Sequence, residues 1–419
     1  MASERSKSYE WKIVITLAIL WGIVGLDRLV IVYLFPIIIP LFKLNNTQAG
    51  AITSILALTW AIAAWGLGNV SDRVGRKNIL VVTTIFFSLM SWISGVVKTY
   101  ASLFIVRGLM GIGEGGVFSS SVATITAEST PERKGLNTGI HLSFFPLLGI
   151  GLGAIITTQL TRFFEWNYVF FIVGIPGLII AFILMFMMKE PLKRYKEAKI
   201  AAAKDKPKSG IFEALKYRNV RVSCLIGCLF MTWLFVFSAF AVLFLTKNRG
   251  ISLADAGLIM SGWGIGGFIG NIIVPAISDY WGRKPSVVFA TTMSGAAVLG
   301  FLYLGDSMAL SFFWLFLSGF FGFGISPIFL ALSNSEAVPS HLVGSAVGIP
   351  TAAGEIFGAV LMPVIAGGIA DAYGLNYAVL LAGVVPLIGG LLGLLYRETA
   401  PRVLAKRAEK AKKYVSSSI

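Results

Sequence analysis

Five ionisable residues sit inside stretches otherwise apolar enough to cross a bilayer: Asp27, Arg28, Arg107, Glu114 and Glu355. An Arg or Asp at the centre of a membrane helix costs about 2.5 to 3.5 kcal/mol on insertion scales, so five in one chain must face a shared aqueous cavity or pair with one another. The chemistry open to them is narrow. Burial and mutual repulsion make carboxylates take up protons, and a guanidinium grips a carboxylate in a two-pronged fork. Fully ionised, the set carries two positive and three negative charges, which repels an anion. Two protons reverse the sign and leave Arg28 or Arg107 free to hold one. Proton and anion then raise each other's affinity by the same factor.

Spacing says how the five are shared out. Arg107 and Glu114 are seven residues apart, so they lie on one helical face, two turns or roughly 10 Å from each other. Asp27 and Arg28 are neighbours and point about 100° apart, so each needs a partner on another helix. A network joining the first span to the fourth is the economical arrangement. Its alternative is a static ion-pair brace, and an internal repeat argues against that. Asn167-Tyr168 with Gly174 recurs as Asn376-Tyr377 with Gly383, and GNVSDRVGRK (68–77) recurs as PAISDYWGRK (275–284). Aligned on its glycines, RGLMGIGEG (107–115) matches SGFFGFGIS (318–326), which sets Ser318 against Arg107 and Ile325 against Glu114. Asp27 and Arg28 likewise meet apolar residues near Leu234 and Phe235. If such a bundle needed the charges as a brace, the second half would carry them too. Glu355, opposite Pro146, is the one acid deep in that half. His141, and His341 before the eleventh span, read as hydrogen-bonded structural groups, and Cys224 and Cys228 as small, reduced core residues.

The elements that hold these residues follow from composition. The chain is 56% hydrophobic and 13% charged, with a mean hydropathy of +0.81, far too apolar for a soluble domain of this length. About 20 apolar residues span a hydrocarbon core. Twelve such stretches are expected, near 12–38, 48–70, 78–97, 101–126, 134–160, 167–188, 220–246, 253–277, 285–304, 309–333, 343–369 and 376–396. They define an N-terminal six-helix bundle (1–188), a basic linker with a short amphipathic helix around Ile211, Phe212 and Leu215 (189–219), a C-terminal six-helix bundle (220–396) and a basic tail (397–419). Of the 35 Lys and Arg, 28 fall in the N-terminus, the even-to-odd loops and the tail, so both termini are expected in the cytoplasm. The first apolar run lacks a small-residue cleavage site and is expected to remain as a span. The net charge of +15 reflects this topology and contact with anionic headgroups, not nucleic-acid binding.

GNVSDRVGRK after the second span, its echo after the eighth, RGLMGIG on the fourth span and PERKG (131–135) before the fifth together resemble the major facilitator superfamily, and the resemblance covers nearly the whole chain. It implies an all-α membrane fold of two pseudo-symmetric six-helix bundles, working by alternating access around a midplane site. Asp72 at the cytoplasmic mouth can accept from the free N–H groups at a helix start in the other half, and Arg73 and Arg76 can hold the opposing acids. With Asp279 and Arg283 of the second copy they form the expected cytoplasmic gate. Asp27-Arg28 with Arg107 and Glu114 is similar to the anion:cation symporter branch. That likeness implies anion coordination at Arg28, proton carriage at Asp27 and Glu114, and a coupling or gating charge at Arg107. Two departures, Gly25 before the Asp-Arg pair and Ser119 after Glu114, imply a differently shaped pocket.

The resulting expectation is a proton-coupled symporter taking up a small organic anion, such as a sugar acid or other carboxylate. Arg28 and Arg107 are its substrate-binding residues, and Asp27, Glu114 and Glu355 its proton-coupling residues. The bilayer expected around it is a plasma membrane of the bacterial inner-membrane type. The protein is expected to act as a monomer with protons as coupling ion and no metal or other cofactor. Rival transporters are a Spinster-like lysolipid carrier, which also pairs Asp-Arg on its first helix with Gly-Glu on its fourth, and a proton-coupled exporter of drugs or metabolites. An enzyme is not expected: no Ser-His-Asp set, Cys/His cluster or nucleotide loop occurs, and GIGEGG lies within a span.

Overall fold

The computed structural model describes residues 7–130, 133–190 and 211–417, so the linker over 191–210 and the Pro131-Glu132 part of PERKG lie outside the described residues. Among them, twelve helices are long and apolar enough to cross a membrane. The first half holds α1 (Lys7–Leu41), α2 (Asn46–Val74), α3 (Arg76–Ser94), α4 (Tyr100–Glu128), α5 (Lys134–Leu160) and α6 (Trp166–Met187). The second holds α7 (Arg218–Lys247), α8 (Leu253–Trp281), α9 (Arg283–Leu304), α10 (Met308–Ala337), α11 (Val343–Tyr373) and α12 (Leu375–Gly393). A charged helix, α13 (Pro401–Ser417), follows. Of the amphipathic helix expected before α7, the described residues show a 3₁₀ segment, Ile211–Lys216, two residues before α7 starts.

Many helices outrun the apolar stretches. At about 1.5 Å per residue, the 29 residues of α2 exceed a hydrocarbon core of about 30 Å, so their ends reach the interface. The polar ends are capped. Asn45 and Gln48 form a reciprocal cap at the start of α2, and Thr99 and Ser102 do the same for α4.

The repeated GRK motif has a backbone reason. Gly75 and Gly282 take φ of +118° and +117°, a region that only glycine enters freely. This turns the chain from α2 into α3 and from α8 into α9. The carboxylate of Glu190 then accepts from the N–H groups of Arg76 and Lys77 at 3.1 and 2.9 Å, and Glu398 accepts from those of Arg283 and Lys284 at 2.8 and 3.3 Å. Each half thus ends on an acid that caps its own third helix, where the dipole favours negative charge.

The halves meet most closely in the middle and at the face away from the described chain ends. A Cβ on Gly264 (α8) would lie 2.0 Å from the Gly151 nitrogen (α5), and one on Gly50 (α2) 2.1 Å from the Pro363 oxygen (α11). At the far face, Asp371 of α11 accepts from the backbone N–H groups of Asn46 and Thr47 and from both their side chains, at 2.6 to 2.9 Å. Toward the chain ends, a Cβ on Gly135 or Gly139 (α5), or on Gly344 or Gly348 (α11), would meet nothing within 4 Å.

Candidate functional site

α1 carries Asp27 and Arg28 into the middle of the molecule. Asp27 is fully buried and Arg28 is 6% exposed. α4 is brought close by its glycines: a Cβ on Gly111 would stand 2.3 Å from the Leu56 oxygen of α2, and one on Gly115 2.5 Å from the Trp60 oxygen. Small residues permit this approach where lipid gives no hydrophobic drive for helix contact. Arg107 and Glu114, on the same face of α4, are 1% and 0% exposed.

The two arginines have different surroundings. Arg107 donates from Nη1 to the Asp27 carbonyl at 3.2 Å and from Nη2 to the Arg28 carbonyl at 2.5 Å. Two of its nitrogens thus bond the backbone of α1, and Nη1 also lies 3.1 Å from the Met110 sulfur. Arg107, expected with Arg28 as a substrate-binding residue, keeps its Nε without a hydrogen-bond partner and lines the same small cavity as Arg28. Arg28, by contrast, lies with its guanidinium carbon 5.5 Å from the Trp60 ring centre and 4.7 Å from that of Phe235 on α7, and its Nη2 has no hydrogen-bond partner. Cation–π contact stabilises such a charge by about 0.5 to 2 kcal/mol while leaving its in-plane donors to other groups.

Two acids from different halves, Glu114 of α4 and Glu355 of α11, are buried as Arg28 is, at 0% and 6% exposure. Both oxygens of Glu114, both of Asp27 and one of Glu355 are buried without a hydrogen-bond partner. Ser91 of α3 donates its hydroxyl to the Phe170 carbonyl at 3.3 Å. Buried carboxylate oxygens without donors are costly in the ionised form. Glu355 opens a π-helical turn, Glu355–Leu361, and α5 has a matching turn, Phe145–Leu152. Such turns are rare and concentrate at functional sites. A small cavity of about 10 Å³, room for roughly one water, adjoins Arg28 and Arg107 and is lined also by Thr53, Leu56, Phe235 and Ser238.

At the mirrored positions, the second half packs rings. Trp233 lies 5.0 Å from Trp263 and 5.2 Å from Phe323, and Ser318 and Ile325 are buried beside them. His141 is fully buried, with Nδ1 3.1 Å from the Leu17 carbonyl and its ring 5.7 Å from that of Trp21.

The expected gate residues occupy the face bearing the chain ends, and there the described ion pairs stay within one half. Asp72 meets Arg76 at 3.3 Å, and Arg76 donates to the Ala123 carbonyl of α4 at 2.7 Å. Arg283 pairs with Asp279 at 2.7 Å and Glu336 at 2.8 Å. Arg76 was expected to hold an acid of the other half. It is wholly buried, and the contacts described for it, to Asp72, Ala123 and Glu190, lie within its own half. Arg73 is exposed. The carboxylate that does cap a helix of the other half is Asp371, at the far face, which sequence reasoning missed. Its signal is an acid in the last turn of α11, useful only to a reader who knows that α2 starts beside it.

A family model described as Major Facilitator Superfamily matches residues 17–356. The chain is similar to the probable 4-methylmuconolactone transporter of Cupriavidus pinatubonensis (strain JMP 134 / LMG 1197), 24% identical, with 81% of this chain and 79% of that protein covered. It is also similar to the hexuronate transporter of Bacillus subtilis (strain 168), 29% identical over 90% and 92% of the two chains. In fold it matches the crystal structure of a bacterial homolog to human lysosomal transporter Spinster in an inward-facing and unoccupied conformation, with a TM-score of 0.75, 18% identity and coverage of 93% and 97%. Twelve spans in two mirrored bundles, a buried charge cluster between them and this match across most of the sequence lead to one conclusion: the chain is a multi-pass membrane transporter of the Major Facilitator Superfamily, not an enzyme.

Proposed function

We propose that the protein carries a small organic anion across the membrane together with protons, by alternating access, and that the anion's carboxylate is held by Arg28. The observation that supports this reading is the buried Arg28 guanidinium, set against the Trp60 and Phe235 rings with its Nη2 unpartnered and, among the described residues, no ion pair. Asp27, Glu114 and Glu355 are the proton carriers, since their buried oxygens lack donors that would hold them charged. While these acids are ionised the site repels an anion; once they are protonated, the positive charge of Arg28 prevails there. Relatives that transport a methylmuconolactone and hexuronate support an organic acid as cargo. Arg107 serves by holding α1, and Asp72, Arg73, Arg76, Asp279 and Arg283 form the gate region on the cytoplasmic side.

With two protons per monoanion, one net positive charge moves inward per cycle. That is worth about 2.3 kcal/mol per 100 mV, or roughly 50-fold accumulation. One proton would make the cycle electroneutral.

The test is uptake into proteoliposomes carrying a pH-sensitive dye. Arg28→Lys keeps the charge and loses the fork, and is expected to abolish binding of organic acids. Glu114→Gln is expected to retain exchange of substrate across the membrane and lose acceleration by a pH gradient. Unchanged affinity in the first variant, or unchanged gradient-driven accumulation in the second, would falsify the assignment.

A further inference from the structure

Arg28 meets, across the boundary between the halves, the residue that stands at its own place in the repeat. Phe235 follows Arg28 by 207 residues, the interval that also separates Ala49-Gly50 from Ala256-Gly257, and each lies on the first helix of its half. The guanidinium carbon is 4.7 Å from the Phe235 ring centre. Among the described residues, the arginine–ring contacts of Arg249 with Phe244 and Phe301, and of Arg402 with Tyr280, stay inside the second half and the helix that follows it. The contact of Arg28 with Phe235 crosses between halves. Phe235 is 7% exposed and lines the same small cavity as Arg28, so ring and charge are buried together where α1 packs on α7. A faithful duplication would have set two arginines against each other there, and repulsion in place of attraction.

A ring is a particular kind of partner. Its face attracts the cation through the quadrupole, and the donors at the edge of the guanidinium stay free, as the Nη2 of Arg28 is. A carboxylate in the same place would take that edge and compete with cargo. The ring has no proton to gain or lose, so its hold does not change with the state of the coupling acids.

One step of the cycle needs such a partner. Alternating access carries the site through an arrangement closed to both sides. When loaded, Arg28 passes through it paired with the cargo carboxylate. After release the carrier passes through it alone, and a buried charge with neither water nor counter-ion is costly. Net uptake includes this empty return; exchange of cargo for cargo omits it.

On the reading of Arg28 as the anion clamp, on which this rests, we propose that Phe235 is a positioning residue for the empty return. Its ring covers the Arg28 charge from the opposite half while the unloaded carrier closes over it.

Phenylalanine bearing one, two or three ring fluorines, placed at position 235, keeps its shape nearly unchanged and cancels the quadrupole stepwise. Unloaded protein in liposomes, with dyes at the far ends of α2 and α11, is followed by single-molecule energy transfer. The expected result is switching that slows with each fluorine, by about fivefold at the third, as loss of a buried cation–π contact implies. Labelled D-glucuronate and benzoate serve as cargo probes: net uptake of the acid carried is expected to fall in step with switching, while its exchange keeps the wild-type rate. Phe235→Tyr keeps a ring and is expected to retain both, and Phe235→Leu, checked for fold by thermal melting, to lose net uptake alone. Switching of the unloaded protein that ignores fluorination overturns the role of the ring and leaves the Arg28 clamp standing. Equal slowing of exchange and net uptake overturns it too, since a ring that only packs serves both. Wild-type protein that binds and carries neither acid overturns the clamp reading as well.

Discussion

Asp371 and Thr47 join the two halves of the molecule at the far face: one oxygen of the Asp371 carboxylate accepts from the Thr47 backbone N–H at 2.9 Å and from its hydroxyl at 2.6 Å. The other oxygen serves Asn46 in the same way. The acid thereby satisfies donors that α2 cannot pair within itself, and it does so from a different bundle. A latch at this face must open whenever the far side of the transporter opens.

Asp371→Ala removes that latch without touching the central charges. Charge-assisted hydrogen bonds contribute about 1.5 to 3 kcal/mol each when buried, and this partly solvated set is expected to contribute about 1 to 2 kcal/mol in total. The expected outcome is a shift of population toward opening at the far face. Spin-label distances between the far ends of α2 and α11 would report it as growth of a longer component, and an unchanged distance distribution would count against the latch.

Arg107→Lys separates two roles for that arginine. As a group that ties α4 to the α1 carbonyls, it should lower thermal stability, by about 1 to 3 kcal/mol for the lost bonds, and weaken substrate binding only secondarily. A variant that melts like the wild type and binds organic acid tenfold more weakly would instead make Arg107 a direct ligand. Melting curves with and without ligand distinguish the two.

Gly264→Val places a branched side chain where α8 meets the π-helical turn of α5. With a Cβ 2.0 Å from the Gly151 nitrogen and 2.4 Å from the Pro146 oxygen, something must shift. The expected result is protein that still inserts and elutes as a single species, with transport lost because the halves no longer close at this crossing. Wild-type uptake rates would show that the crossing yields more easily than its geometry implies.

The spans, the two halves and the five buried charges were legible because each rests on local chemistry: apolar runs of sufficient length, a repeat about 209 residues apart, and charge inside those runs. What stayed hidden depended on side chains turning one way among several. Sequence spacing puts Arg107 and Glu114 on one face, but not that Arg107 ends at the Asp27 and Arg28 carbonyls while Arg28 is left to its rings and acids. The depth of Glu355 depended on where α11 begins its π-helical turn, which periodicity does not reveal. Glu190 and Glu398 were readable in principle, being 208 residues apart just after the last span of each half. Their use as caps emerged only once Gly75 and Gly282 were seen to leave room for a carboxylate.

Those two caps have a consequence for how the chain is assembled. Because Glu190 returns to α3 and Glu398 to α9, each bundle's third helix is capped by an acid that follows that bundle's own last span. Two separate polypeptides, cut between these units and synthesised together, should find one another in the bilayer and restore a working carrier, as two modules of an ancestral duplication would.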